Sequence, residues 1–118
     1  MAVNRRPAAL LVGVLGLAFL VGAVASVRAE RKTHVITIED MRFQPDVLVV
    51  ALGDTITWVN KDLVPHTATS KTAGFDSKAI QAGASWRHTV RTEGDVVYTC
   101  AFHPTMIGRL RVITGARR

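Results

Sequence analysis

From Thr33 onward, apolar and polar positions alternate in short blocks broken by turn residues. In THVITIED, His34, Ile36 and Ile38 share one face, and Thr33, Val35 and Thr37 share the other. That period of two marks a strand with one face toward a core. A break over Met41 to Pro45 holds Phe43, and DVLVVAL (Asp46 to Leu52) follows as a nearly continuous apolar strand. TITWVN (Thr55 to Asn60) alternates again behind the Gly53-Asp54 turn, with Ile56 and Trp58 together. After Lys61-Asp62 the chain is extended over Pro65 to Ser70, then irregular over Lys71 to Ala82. ASWRHTVR, VVYTCA and GRLRVIT supply three more strands before the end. No helical period occurs after residue 30. Short strands with turn signals every ~8–12 residues predict an all-β fold, an antiparallel Greek-key β-sandwich of about seven to eight strands.

Residues 1–29 follow other rules. Asn4-Arg5-Arg6 is a basic start, Ala8 to Ser26 carries no charge, and Val27-Arg28-Ala29 ends on a small residue before Glu30. This order describes an export signal. The apolar run is 19 residues long, close to the ~20 that span a bilayer. The segment therefore reads as a cleaved signal peptide or an uncleaved N-terminal membrane anchor, helical in either case, ahead of one domain over residues 30–118. Both readings place that domain outside the cytoplasm, in the periplasm.

The charge balance adds little. The chain has 15 Lys and Arg against 9 Asp and Glu, a formal +6. Residues 1–29 hold Arg5, Arg6 and Arg28 and no acid, so the remainder carries twelve cations against nine anions, a mild +3. No basic stripe indicates a nucleic-acid partner, and no glycine-rich phosphate loop indicates nucleotide chemistry. The single cysteine, Cys100, excludes an internal disulfide, a CxxC metal knuckle and a dithiol redox pair.

An unpaired thiol in an exported protein needs a reason, and its neighbours supply one. Tyr98-Thr-Cys100-Ala-Phe-His103-Pro104-Thr-Met106 packs a thiol, an imidazole and a thioether into a short stretch, and Pro65-His66 supplies a second imidazole. His66, Cys100, His103 and Met106 together form a His₂Cys set with a thioether, the donor set of a blue-copper electron-transfer site. Thiolate and thioether suit Cu(I), and imidazole suits Cu(II). Pro65 and Pro104 stiffen the chain beside the two histidines. Zinc rarely takes a thioether. His34 and His88 stand apart from such company and read as ordinary strand histidines. Trp58, Trp86 and Phe43 read as core, and Tyr98 as a buried, hydrogen-bonded tyrosine.

Three stretches resemble the cupredoxin (type 1 blue copper) family, in particular its amicyanin-like and plastocyanin-like bacterial members. They are Gly53-Asp54 through Trp58 and Asn60 to Pro65-His66, Phe75-Asp76-Ser77 through Gly83 to Thr89, and Tyr98-x-Cys100-x-x-His103-Pro104-x-Met106-x-Gly108. The two residues between His103 and Met106 are similar to the short amicyanin ligand loop. The resemblance implies one copper per chain, cycling between Cu(I) and Cu(II) and catalysing no reaction by itself. It implies a monomer that carries single electrons between a donor dehydrogenase and an acceptor c-type cytochrome or oxidase. Partners would dock transiently near His103 on an apolar patch of Leu63, Val64, Pro65, Phe102, Pro104 and Thr105. The family commonly has Asn directly after the first histidine ligand, and this chain has Thr67. The alternative reading is a periplasmic copper-binding protein that sequesters Cu(I) or hands it on, although the chain has no Met/His-rich segment for that task.

Overall fold

In the computed structural model, which describes residues 2–4, 8–23 and 30–114, nine strands form two packed sheets. They are β1 (Thr33–Glu39), β2 (Arg42–Gln44), β3 (Val47–Ala51), β4 (Thr55–Asn60), β5 (Thr69–Ser70), β6 (Phe75–Asp76), β7 (Ser85–Thr89), β8 (Gly94–Cys100) and β9 (His103–Ile113). One sheet has the order β2-β1-β4-β7 and the other β3-β9-β8-β5-β6. The alternation read from the sequence places the core. Ile36 and Ile38 of β1, Ile56 and Trp58 of β4, Tyr98 and Cys100 of β8, and Leu110 and Val112 of β9 are buried in one cluster between the sheets.

The β-sandwich matches the expectation, with one refinement. The sheets are mixed, because β1 pairs with β4 and β3 pairs with β9 in parallel. The chain leaves the first sheet after β2, adds β3 to the second sheet, and returns for β4. Such an excursion brings β4 back in the direction of β1, and a parallel pair needs a crossover of this kind. The Met41 to Pro45 break contains the short β2, with Phe43 buried in the core.

Residues 8–23 form no helix and are exposed. The expected N-terminal helix is not formed there. Among the described residues no helix is long and apolar enough to cross a membrane. The Arg5-Arg6 pair and the Val27-Arg28-Ala29 exit lie outside the described residues.

The termini of the sandwich share one pole. Thr33 at the start of β1 pairs with Thr55, and Ile113 at the end of β9 pairs with Ala51. Every candidate ligand lies toward the other pole, on the β4–β5 crossing, at the end of β8 and in the first residues of β9.

Candidate metal centre

The first imidazole is placed by a buried amide. Asn60 follows Ile56 and Trp58 in the inward parity of β4 and is fully buried. Its Nδ2 donates to the carbonyls of Val64 at 2.8 Å and Ile80 at 2.9 Å. Its Oδ1 accepts the Asp62 N–H at 3.0 Å. All of its bonds are spent on shaping the β4–β5 crossing. His66 then forms a two-way backbone bridge with Ile80, donating at 3.1 Å and accepting at 2.7 Å. The ring is fully buried.

Its two nitrogens face different partners. Nε2 lies 2.8 Å from Asp62 Oδ2. A carboxylate only accepts, so Nε2 carries the proton. The lone pair is left on Nδ1, which lies 3.7 Å from Cys100 Sγ. Asp62 is itself held in place. Its Oδ1 accepts the Asp40 N–H at 2.8 Å and its Oδ2 the Met41 N–H at 3.0 Å. Asp40 and Met41 have φ of 53° and 57°, and successive left-handed residues turn their N–H groups toward one anion. What desolvation Asp62 suffers raises its pKa, but hydrogen bonds from Met41, His66 and Asp40 hold it below the usual carboxylate value.

Cys100 ends β8 and is fully buried. The ligand stretch is tighter than a free loop. Only Ala101 and Phe102 separate β8 from β9, and Cys100 pairs with His103 beside an irregularity at Thr99/Cys100. Met106, Gly108, Leu110 and Val112 form the buried parity of β9. His103 has the opposite parity and is only partly buried. Its ring centroid stands 5.6 Å from that of His66. Among the described residues no three His, Cys, Asp or Glu side chains converge as a preassembled metal site. The structure brings His66 and Cys100 into register, buries Met106 in the same core cluster, and holds His103 at the rim.

Thr67 ties the two ligand segments together. Its backbone N–H donates to Cys100 Sγ at 3.3 Å, and its Oγ1 accepts the Ala101 N–H at 2.7 Å. The hydroxyl thus joins the His66 segment to the residue after Cys100.

The donor set fits a metal ion. With Zn-like bonds of ~2.05 Å to nitrogen and ~2.3 Å to sulfur, two donors on one ion stand about 3.6 Å apart at a tetrahedral angle and about 3.8 Å at a trigonal one. The Nδ1 to Sγ separation of 3.7 Å lies within that interval. A soft thiolate and imidazole nitrogen, with a thioether buried in the same core cluster, favour copper over zinc.

The residues expected beside His103 are exposed. Leu63, Val64 and Phe102 are exposed by 95%, 43% and 52%, and Pro65, Pro104 and Thr105 are also exposed. Every residue expected in the patch is at the surface.

The remaining candidates resolve as structural. His34 Nε2 meets Asp54 Oδ2 at 2.8 Å. His88 stacks on Trp86 at 5.6 Å and 11° and lies 4.5 Å from Phe75. Burial, then the Arg91 charge, lowers its pKa. Tyr98 is buried as expected, but its hydroxyl makes no well-formed hydrogen bond; the polar group that acts on it is the Trp58 indole N–H. Its ring crosses Gly108, where any added Cβ would collide with it. Burial raises the Tyr98 pKa, with the Trp58 indole opposing. Asn60 and Asp62 were not singled out as functional in the sequence. Asn60 had a signal, an amide in the inward parity after Ile56 and Trp58. Asp62 had none beyond lying four residues before His66.

Comparison with known proteins supports the same fold. The family model for a cupredoxin-like domain matches residues 11–112. Amicyanin from Paracoccus denitrificans is 31% identical over 84 residues, 66% of this chain. The match spans 63% of that relative's own length. An amicyanin variant solved in its Cu(I) form has a TM-score of 0.64 at 28% identity, covering 69% of this chain and 82% of its own. The copper-containing nitrite reductase from Thermus scotoductus SA-01 has a TM-score of 0.64 at 27% identity, covering 77% of this chain but 24% of the enzyme.

Proposed function

The chain belongs to the cupredoxin-like family, and on that footing we propose that it is a type 1 copper protein carrying single electrons between redox partners, with no reaction of its own. The observation that carries the proposal is the buried facing of His66 Nδ1 and Cys100 Sγ at 3.7 Å. His66, Cys100 and His103 would hold one copper, with Met106 as the weak fourth donor. Bound copper supplies a one-electron Cu(I)/Cu(II) couple.

The residues of the chain do the rest. Asp62 fixes the His66 tautomer and ring orientation, as carboxylates behind metal-binding histidines do. Asn60 and the Ile80 bridge hold the His66 backbone against recoil. The Thr67 N–H supports charge on the Cys100 sulfur, which favours the reduced state of a thiolate site. His103, at the rim, is the ligand nearest a docked partner. The exposed apolar side chains around it suit a small, transient encounter with a redox protein. A donor dehydrogenase and an acceptor c-type cytochrome or oxidase are the expected partner classes.

Residues 1–29 direct export in this reading, as a cleaved signal or a retained anchor, and residues 30–118 form a monomeric copper domain in the periplasm. A copper-sequestering role is the other reading of the same donors. The rigid frame of Asn60, Asp62 and Thr67 favours electron transfer, because a fixed donor set resists the rearrangement that metal hand-over requires.

The test is a Cu(II) titration of the full chain, read by visible absorption and followed by ascorbate. An intense band that saturates at one copper per chain, bleaches on reduction, and is missing in Cys100→Ser supports the reading. A pale product, or thiol oxidation without a stable band, contradicts it.

A further inference from the structure

Thr67 Oγ1 does more than accept the Ala101 N–H. It lies 2.9 Å from Thr69 Oγ1, and Thr69 Oγ1 donates to Asp76 Oδ1 at 3.2 Å. A hydroxyl has one proton to give. Asp76 takes the proton of Thr69, so Thr67 must donate to Thr69. That leaves the Thr67 oxygen as a pure acceptor toward Ala101. The chain runs one way, from the Ala101 N–H through Thr67 and Thr69 to the Asp76 carboxylate.

The sheet holds these groups in line. Thr69 pairs with Asp76 across β5 and β6, and with Thr99 of β8 on its other side. Asp76 is exposed and is anchored by the Lys78 backbone N–H at 2.8 Å and by the Lys78 ammonium at 3.2 Å. Each donated bond makes the next oxygen a better acceptor, so a chain ending on an anion strengthens along its length.

We propose that Thr69 and Asp76 are positioning residues for the copper centre. Neither touches a candidate ligand. Through Thr67 they set how firmly the Cys100–Ala101 peptide is held against the His66–Thr67 segment, and hence how well the Thr67 N–H points at the Cys100 sulfur. A surface carboxylate thereby acts on the metal site. The inference rests on the copper reading for its consequence, but not for the relay itself.

The experiment follows the Ala101 amide by NMR hydrogen exchange in the metal-free full chain, with Thr69→Val, Thr69→Ser, Asp76→Asn and the double variant Thr69→Val/Asp76→Asn. Loss of one such bond is expected to speed Ala101 exchange by about 5- to 10-fold. Thr69→Val and Asp76→Asn should each do so, Thr69→Ser should restore protection, and Asp76→Asn should add nothing once Thr69 lacks its hydroxyl. In copper-loaded protein, Thr69→Val should lower the reduction potential, because a loosened N–H relieves less charge on the sulfur. An Ala101 amide indifferent to Thr69→Val overturns the relay. So does an Asp76→Asn effect of equal size with and without the Thr69 hydroxyl, which would be a through-space charge effect. Altered exchange with an unchanged potential overturns the positioning role. A chain that binds no copper, yet shows the exchange pattern, would defeat the copper reading and leave the relay standing.

Discussion

His66 Nδ1 faces Cys100 Sγ at 3.7 Å across 34 residues of sequence, with both side chains fully buried. Neither group moves easily. The other nitrogen of His66 is committed to Asp62, and Cys100 sits at the end of a strand whose partner turns back after two residues. The frame around this pair leads to several expectations.

Asp62→Asn should weaken copper binding without unfolding the chain. The amide keeps the size of the carboxylate but no longer compels a proton on His66 Nε2. Loss of such a partner behind a metal-binding histidine typically costs ~10–100-fold in affinity. Competition against a chromophoric Cu(I) chelator measures it, and an affinity within twofold of the parent would deny Asp62 that role.

Met106→Leu should keep the intense copper–thiolate band and raise the reduction potential. The thioether is a weak donor to one side of the site, and its removal favours the less charged Cu(I). Voltammetry beside the optical spectrum decides it. Should both stay as in the parent, Met106 is packing only.

Gly108→Ala should destabilise the fold, because the new methyl meets the Tyr98 ring. Overpacking of this kind costs about 1–3 kcal/mol, occasionally more. Denaturant unfolding of the metal-free protein gives the value. A loss below about 0.5 kcal/mol would mean that the Tyr98 ring moves aside freely.

His88 should make the fold acid-sensitive. Burial and then Arg91 lower its folded pKa below the ordinary 6.5, so the unfolded chain takes up the proton first as pH falls. The stabilisation is complete above 6.5 and is lost as pH drops through the folded value. Between pH 8 and pH 5, metal-free His88→Phe should lose less stability than the parent. Equal losses would show that His88 does not contribute.

Much of this molecule is legible in the sequence because strands bury alternate residues. The parity of Ile36, Ile38, Ile56, Trp58, Tyr98 and Cys100 places the core without any knowledge of topology. The four candidate ligands are legible because soft and borderline donors rarely meet by chance at that spacing. The mixed sheets are not legible. Parallel pairing of β1 with β4 depends on which sheet β3 joins, and alternation is the same in either sheet. Asp62 also escapes, since a Lys-Asp pair after a strand reads as a turn. Its real partners, the Asp40 and Met41 N–H groups and the His66 ring, come from separate segments that only the fold brings together.

X-ray absorption at the copper edge of the Cu(I)- and Cu(II)-loaded full chain would test the metal centre most directly. One short sulfur and two imidazole nitrogens should appear around a single copper, with little change between the two oxidation states. A shell of nitrogen and oxygen without sulfur would contradict the centre, as would one that loses an imidazole on reduction.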